Sequence, residues 1–314
     1  MPFVFLFTSI HTFAPALKNS RLPFTSGIRH MLLSTLSFAV MNVFIKKVSY
    51  FPAMEVVFFR CFISMLICFA LIYKDGADWR GSNRQLLLAR GIFGTIALYT
   101  FFITLHNIPL GTAVTIQYLS PIFTTVIAIF LLHEKVKLPQ WFFFAVSFVG
   151  ILVIKGFDHR ISANMLLIGI ASALASGFAY NMVRSLKEKE HTMVVVLHFQ
   201  IIGALTGLFF MLFDFRMPDG EEWFYLLMIG ITTQLGQVNL TKALQLERIA
   251  NVSIFNYLGI IYALLFGFVF FDERYEWISL SGIVLVLAGV LLNYIYQLKQ
   301  QKIVAEEELT GVEE

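Results

Sequence analysis

A permanent positive charge inside an apolar run is the first feature that asks for chemistry. Arg60 lies within the stretch from Val56 to Tyr73. In hydrocarbon a guanidinium needs a carboxylate, backbone carbonyls or a water-filled cavity. Glu55 stands five residues earlier, outside helical i+3/i+4 geometry and near the expected membrane surface. An anionic group on a small solute is one partner for Arg60. Snorkelling to the outer interface is the other reading. Arg90 falls near a segment end and reads as an interfacial anchor.

Neutral polar residues recur at helical spacing. Gln234, Gln237 and Thr241 fall at i, i+3 and i+7, as do Gln117, Ser120 and Thr124, so each set shares one helix face. Pro121 frees a carbonyl one turn earlier, near Gln117. Tyr99, Thr100, Tyr118, Asn256 and Tyr257 complete the set of candidate cavity residues. Such residues either line a solute cavity or join helices at about 0.6–2 kcal/mol each; both readings stand. Asn181 follows the small-residue run Gly169, Ala173, Gly177, which points to packing for it and, by symmetry, for Asn42. Glu134 and Glu273 sit just past predicted helix C-termini, where the helix dipole disfavours an unpaired acid. Lys135, Lys137 and Arg274 are near them, and either a gate ion pair or plain loop structure fits.

Other chemistries lack their residues. The seven His show no His-Glu-x-x-His spacing, and no Gly-x4-Gly-Lys-Ser/Thr segment occurs. His198 reads as a packed polar residue. Cys61 and Cys68 share one apolar helix face, as buried thiols do. No metal and no cofactor is expected. The net charge of +3 comes without a basic patch, so nucleic acid is not an expected partner. The expected partners are the lipid bilayer and a small-molecule substrate, with homodimerisation left open. An integral-membrane enzyme or a lipid-handling protein is the alternative, though the loops are too short for a catalytic domain.

The elements that must position these residues are membrane spans. The chain is 58% hydrophobic and only 14% charged over 314 residues, far from the balance of a water-soluble domain. Apolar runs predict an all-α membrane protein with helices at 29–45, 53–73, 86–105, 112–132, 139–155, 163–184, 194–213, 223–242, 250–271 and 276–297. Most approach the ~20 residues that cross a bilayer. Loops rich in Lys and Arg, among them Arg80, Arg84, Lys135, Lys137, Lys187 and Lys189, place both termini in the cytoplasm. Residues 1–28 form an N-terminal arm whose apolar start, broken by Pro2 and Pro15, does not read as a signal peptide. Met31 is an alternative start. Residues 298–314 form an acidic, solvated tail.

Slid against itself by 139 residues, the sequence matches without a gap. Ser37 meets Ser176, Asn42 meets Asn181, Gly91 meets Gly230, Tyr118 meets Tyr257, Glu134 meets Glu273 and Gly150 meets Gly289. The two repeats, 29–158 and 163–297, hold five predicted helices each. An odd number inverts the second copy, the layout of alternating-access carriers.

The run Ile108-Pro109-Leu110-Gly111-Thr112-Ala113, then Leu119-Ser120-Pro121, His133-Glu134-Lys135 and Gly150 resembles the EamA-type branch of the drug/metabolite transporter superfamily. Leu258-Gly259, Asp272-Glu273-Arg274 and Gly289 repeat the pattern. The resemblance covers about residues 28–297. It implies ten helices around a central cavity and a secondary transporter in the cell inner membrane. Members move amino acids, nucleosides, nucleotide sugars or other metabolites, often outward, and members that take up S-adenosylmethionine share the layout. Ile260 stands where Pro121 stands in the first half, so a matching kink is not implied there.

Overall fold

The computed structural model describes residues 26–76, 78–131, 136–186, 189–246, 255 and 257–310. Every regular element among them is a helix. They are α1 (Ser26–Lys47), α2 (Ala53–Asp75), α3 (Arg84–Asn107), α4 (Leu110–Gln117), α5 (Ser120–Leu131), α6 (Leu138–Phe157), α7 (Ala163–Leu186), α8 (Thr192–Met211), α9 (Glu222–Leu246), α10 (Leu258–Phe271) and α11 (Trp277–Thr310). Eight spans are long and apolar enough to cross a membrane, α4 and α5 together making one of them. The outward faces carry Phe130, Leu152, Leu205 and Phe268, each more than half exposed. A water-soluble surface does not carry apolar area on that scale; this is a multi-pass membrane protein.

Local chemistry sets the helix ends. Gly76 closes α2 in the left-handed region at φ 65°, its N–H returning to Ile72 and Tyr73. Asn83 caps α3 through its side chain, which accepts from Leu86 N at 3.3 Å. Pro109 precedes α4, where a missing N–H costs nothing.

Two boundaries differ from the sequence expectation. The segment 112–132 is not one helix, because a turn at Tyr118-Leu119 separates α4 from α5. Pro121 lies in the first turn of α5, where proline is tolerated, and so is not a mid-helix kink. The last helix does not stop near residue 297 but continues to Thr310. Glu306, Glu307 and Glu308 are good helix formers that need no burial to extend it. The predicted start at 250 falls among residues outside the described set, which resumes at Phe255 and Tyr257.

The packing repeats itself. α1 lies against α9 as α7 lies against α3, α8 meets α3 as α2 meets α9, and α5 meets α7 as α10 meets α1. Each pair becomes its counterpart when the halves are exchanged. The glycines follow the same rule. A Cβ on Gly91 would overlap Ile202, and one on Gly230 would overlap Ile63, the residue 139 positions before Ile202. Close backbone approach through small residues is how helices associate without a hydrophobic driving force between them.

Candidate functional site

Three contacts join residues that are 139 apart. Tyr118 and Tyr257 pack with ring centroids 5.4 Å apart. Ser147 Oγ donates to the Val286 carbonyl at 3.4 Å. The Arg60 guanidinium lies 5.6 Å from the Phe199 ring centre. Equivalent residues can touch only beside the axis that relates the halves, so these pairs trace that axis. Tyr118 and Tyr257 also share a backbone conformation, φ −71°, ψ 1° and φ −69°, ψ −12°. Since Ile260 replaces Pro121 in the second half, proline does not dictate this conformation.

Arg60 is the centre of the polar core. It is 3% exposed, which excludes snorkelling. Its Nη1 reaches Gln200 Oε1 at 3.5 Å and Cys61 Sγ at 3.6 Å, while Nε has no hydrogen-bond partner. Gln200 Nε2 donates to Ser64 Oγ at 2.9 Å, and Ser64 Oγ donates to Gln234 Oε1 at 2.6 Å. That chain crosses α2, α8 and α9. It ends on Gln234, which is buried and whose side chain also meets the Cys68 thiol. Arg90, expected as an interfacial anchor, is half-buried. Its guanidinium sits 4.4 Å from the same Phe199 ring, and its Nε is buried and unpartnered. Helix α3 projects the long stem inward toward Gly94, where no Cβ obstructs it. Among the described residues no carboxylate pairs with either arginine. Cation–π contact contributes about 0.5–2 kcal/mol and a charged hydrogen bond about 1.5–3 kcal/mol. Desolvating a buried ion costs several kcal/mol, so these contacts do not offset the burial of Arg60.

Other predicted site residues divide between roles. Gln117 joins α4 to α7: its Nε2 donates to Ser176 Oγ at 2.7 Å, and its Oε1 accepts from Ser172 Oγ at 2.9 Å. Asn181 Nδ2 donates to the Thr124 and Gly177 carbonyls, both at 2.9 Å. Asn181 Oδ1 and Asn42 Oδ1 are buried without partners. Ser120 is buried, Tyr99 and Gln237 are half-buried, and Thr100 Oγ1 turns back onto the Ile96 carbonyl at 2.7 Å. Asn256 and Glu134 lie outside the described residues. His198 Nδ1 lies 2.9 Å from the Val194 carbonyl of its own helix.

Glu273 builds a second cluster. Asp272 ends α10 in the left-handed region at φ 48°, a conformation that Asp tolerates better than most residues. The chain reversal carries the Glu273 carboxylate to the start of α4, where Leu110 N donates to its two oxygens at 2.9 and 2.8 Å. A carboxylate there completes orphan N–H groups and meets the positive helix end. Lys46 Nζ pairs with Oε1 at 2.6 Å and also donates to the Ile108 carbonyl at 2.6 Å. Tyr275 OH donates to Oε2 at 2.6 Å and accepts from Gly111 N at 3.0 Å. Burial beside that carboxylate pushes the Tyr275 phenol above its usual range. Arg274 is not the partner of Glu273; it lies 3.6 Å from exposed Asp272.

Ser64, Gln200, Lys46 and Tyr275 were not singled out in the sequence. Gln200 interrupts an apolar run much as Arg60 does, and that was the available signal. A surface cavity of about 440 Å³ is lined by Ser82, Asn83, Arg84, Gln85 and Lys189. These are loop and helix-end residues.

Comparison with known proteins agrees with this architecture. The pseudopaline exporter CntI of Pseudomonas aeruginosa is 29% identical over 269 residues, covering 85% of this chain and 95% of that protein. Solute carrier family 35 member G1 of Mus musculus is 26% identical, covering 84% and 76%. An S-adenosylmethionine uptake transporter of Rickettsia felis is 23% identical, covering 85% and 92%. One solved crystal structure superposes with TM-score 0.57 at 19% identity over 84% of this chain and 93% of that one, a likeness of fold alone. The model of the EamA-like transporter family matches residues 25–156 and again 163–295. These two matches span most of the sequence, and the chain belongs to the EamA-like transporter family.

Proposed function

We propose that this chain is a secondary carrier of a small metabolite, working by alternating access across the inner membrane. In this reading ten spans form two inverted repeats of five, and both termini face the cytoplasm. The observation that carries it is the set of contacts between residues 139 apart, Tyr118–Tyr257 and Arg60–Phe199 among them. Repeats that meet along one axis can exchange conformations and open a shared site to either side in turn. Relatives named as an exporter and as an uptake transporter support small-molecule transport without fixing its direction.

The solute site lies along the axis, lined by Arg60, Tyr118, Gln234 and Tyr257. Gln117, Asn42 and Asn181 act mainly as joints between helices. The Lys46–Glu273–Leu110 cluster closes the outer end of α4 and α10, and Glu134, its repeat equivalent, serves the cytoplasmic end.

Counterflow in proteoliposomes tests the carrier reading. Purified protein is loaded against amino acids, nucleosides and S-adenosylmethionine. Saturable exchange of at least one solute is expected. Folded protein that exchanges none of a broad metabolite set overturns it.

A further inference from the structure

We infer that Arg60 and Arg90 together form an oxyanion site, and that the carried solute presents a carboxylate or phosphate group to them. This rests on the carrier reading above. Both guanidiniums converge on Phe199, at 5.6 and 4.4 Å. Each carries a buried donor with no hydrogen-bond partner, Arg60 Nε and Arg90 Nε. Two guanidiniums with unpaired N–H groups and no carboxylate between them are complementary to an anion. The guanidinium fork suits carboxylate and phosphate alike.

The repeat argues against a merely structural role. The positions equivalent to Arg60 and Arg90 in the second half are Phe199 and Ile229. Both are apolar, yet the helices around them pack by the same reciprocal rule. The fold therefore accepts uncharged residues at these two positions. The charges belong to the first repeat alone, and one of them sits against the axis. In an inverted repeat that axis runs at mid-membrane depth, where carriers bind solute. A charge kept there without a carboxylate partner indicates an anion that arrives from outside.

The test uses the full chain in detergent and in proteoliposomes. Melting is followed with malate, glutamate, inorganic phosphate, alanine and lysine as probes, and exchange is measured for the same five. Arg60→Gln, Arg90→Gln, Arg60→Lys and Arg60→Met are compared with the unaltered protein. At least one anionic probe should raise the melting temperature and exchange saturably. Its half-saturation should weaken tenfold or more in each Gln variant and less in Arg60→Lys. Malate against phosphate distinguishes the two oxyanion sources. Ligand-free Arg60→Met should melt at or above the unaltered protein, because an unpaired buried charge is removed. Exchange of alanine or lysine that is unchanged in Arg60→Gln overturns the inference while leaving the carrier reading intact. Arg60→Met and Arg90→Gln melting well below the unaltered protein, with no anion response, also overturns it. No exchange of any solute in the broader metabolite set strikes the carrier reading itself.

Discussion

At the scale of single residues, Glu273 shows how a buried carboxyl group gathers partners in an apolar protein. It is 7% exposed and collects Lys46 Nζ, the Leu110 N–H and the Tyr275 hydroxyl. No single one of these offsets desolvation, but a charge-assisted set can. Removing one partner leaves the other charge stranded. Lys46→Met should therefore destabilise by about 3 kcal/mol, and Glu273→Gln by about 2 kcal/mol. The double variant strands nothing, so its loss should fall short of the sum by about 1–2 kcal/mol. Unfolding of all four proteins in mixed detergent measures this. Strict additivity would show that Lys46 and Glu273 do not act as a pair. Sequence spacing placed Glu273 just past a helix and named a neighbouring arginine. The actual base comes from α1, far away in sequence, and only the fold brings it there.

At the scale of elements, α6 and α11 meet backbone to backbone. A Cβ on Gly150 would stand 2.6 Å from the Gly282 carbonyl oxygen, and one on Gly282 would stand 2.7 Å from the Gly150 carbonyl oxygen. Neither obstacle is a flexible side chain, so relief requires the helices to separate. Gly150→Ala should cost about 2 kcal/mol or more. Gly156→Ala, on the same helix with nothing within 4 Å, should be neutral or gain up to about 1 kcal/mol. Melting of the two variants side by side decides it; equal effects would mean that the α6–α11 contact is not tight. These elements were largely legible in the sequence. Apolar length locates spans, because the bilayer imposes a fixed thickness on each of them. The turn at Tyr118-Leu119 was not legible, because hydropathy is continuous through it. Proline suggested a kink at that place, yet Tyr257 adopts the same backbone angles without one. The polar core was half legible. Arg60 stood out as a charge among apolar residues, whereas Arg90 lay close enough to a span end to resemble an anchor. Its inward direction depends on Gly94 and Phe199, which no spacing rule connects to it.

At the scale of the whole molecule, the carrier proposed above would use the Lys46–Glu273–Leu110 cluster as a gate. With the Lys46–Glu273–Leu110 contacts made, α10 is held against α1 and α4 at that end. Alternating access requires those contacts to break as the opposite end closes. A ligand or a substitution shifts such an equilibrium only through a free-energy difference between the two states. Glu273→Gln weakens one state alone. A bias of about 1.4 kcal/mol changes the population ratio about tenfold. Tyr118 reports on it, since it lies beside the axis with Tyr257 and inward from the cluster along α4. A cysteine at Tyr118 can be placed in a background with Cys61 and Cys68, both buried, changed to serine. In intact cells a membrane-impermeant maleimide should label that cysteine several-fold faster when Glu273 is Gln. Substrate added on the same side should slow the labelling in both backgrounds by covering the site. An identical labelling rate with Glu and with Gln would mean that the cluster is a static joint, and the gate would have to be sought elsewhere along the axis.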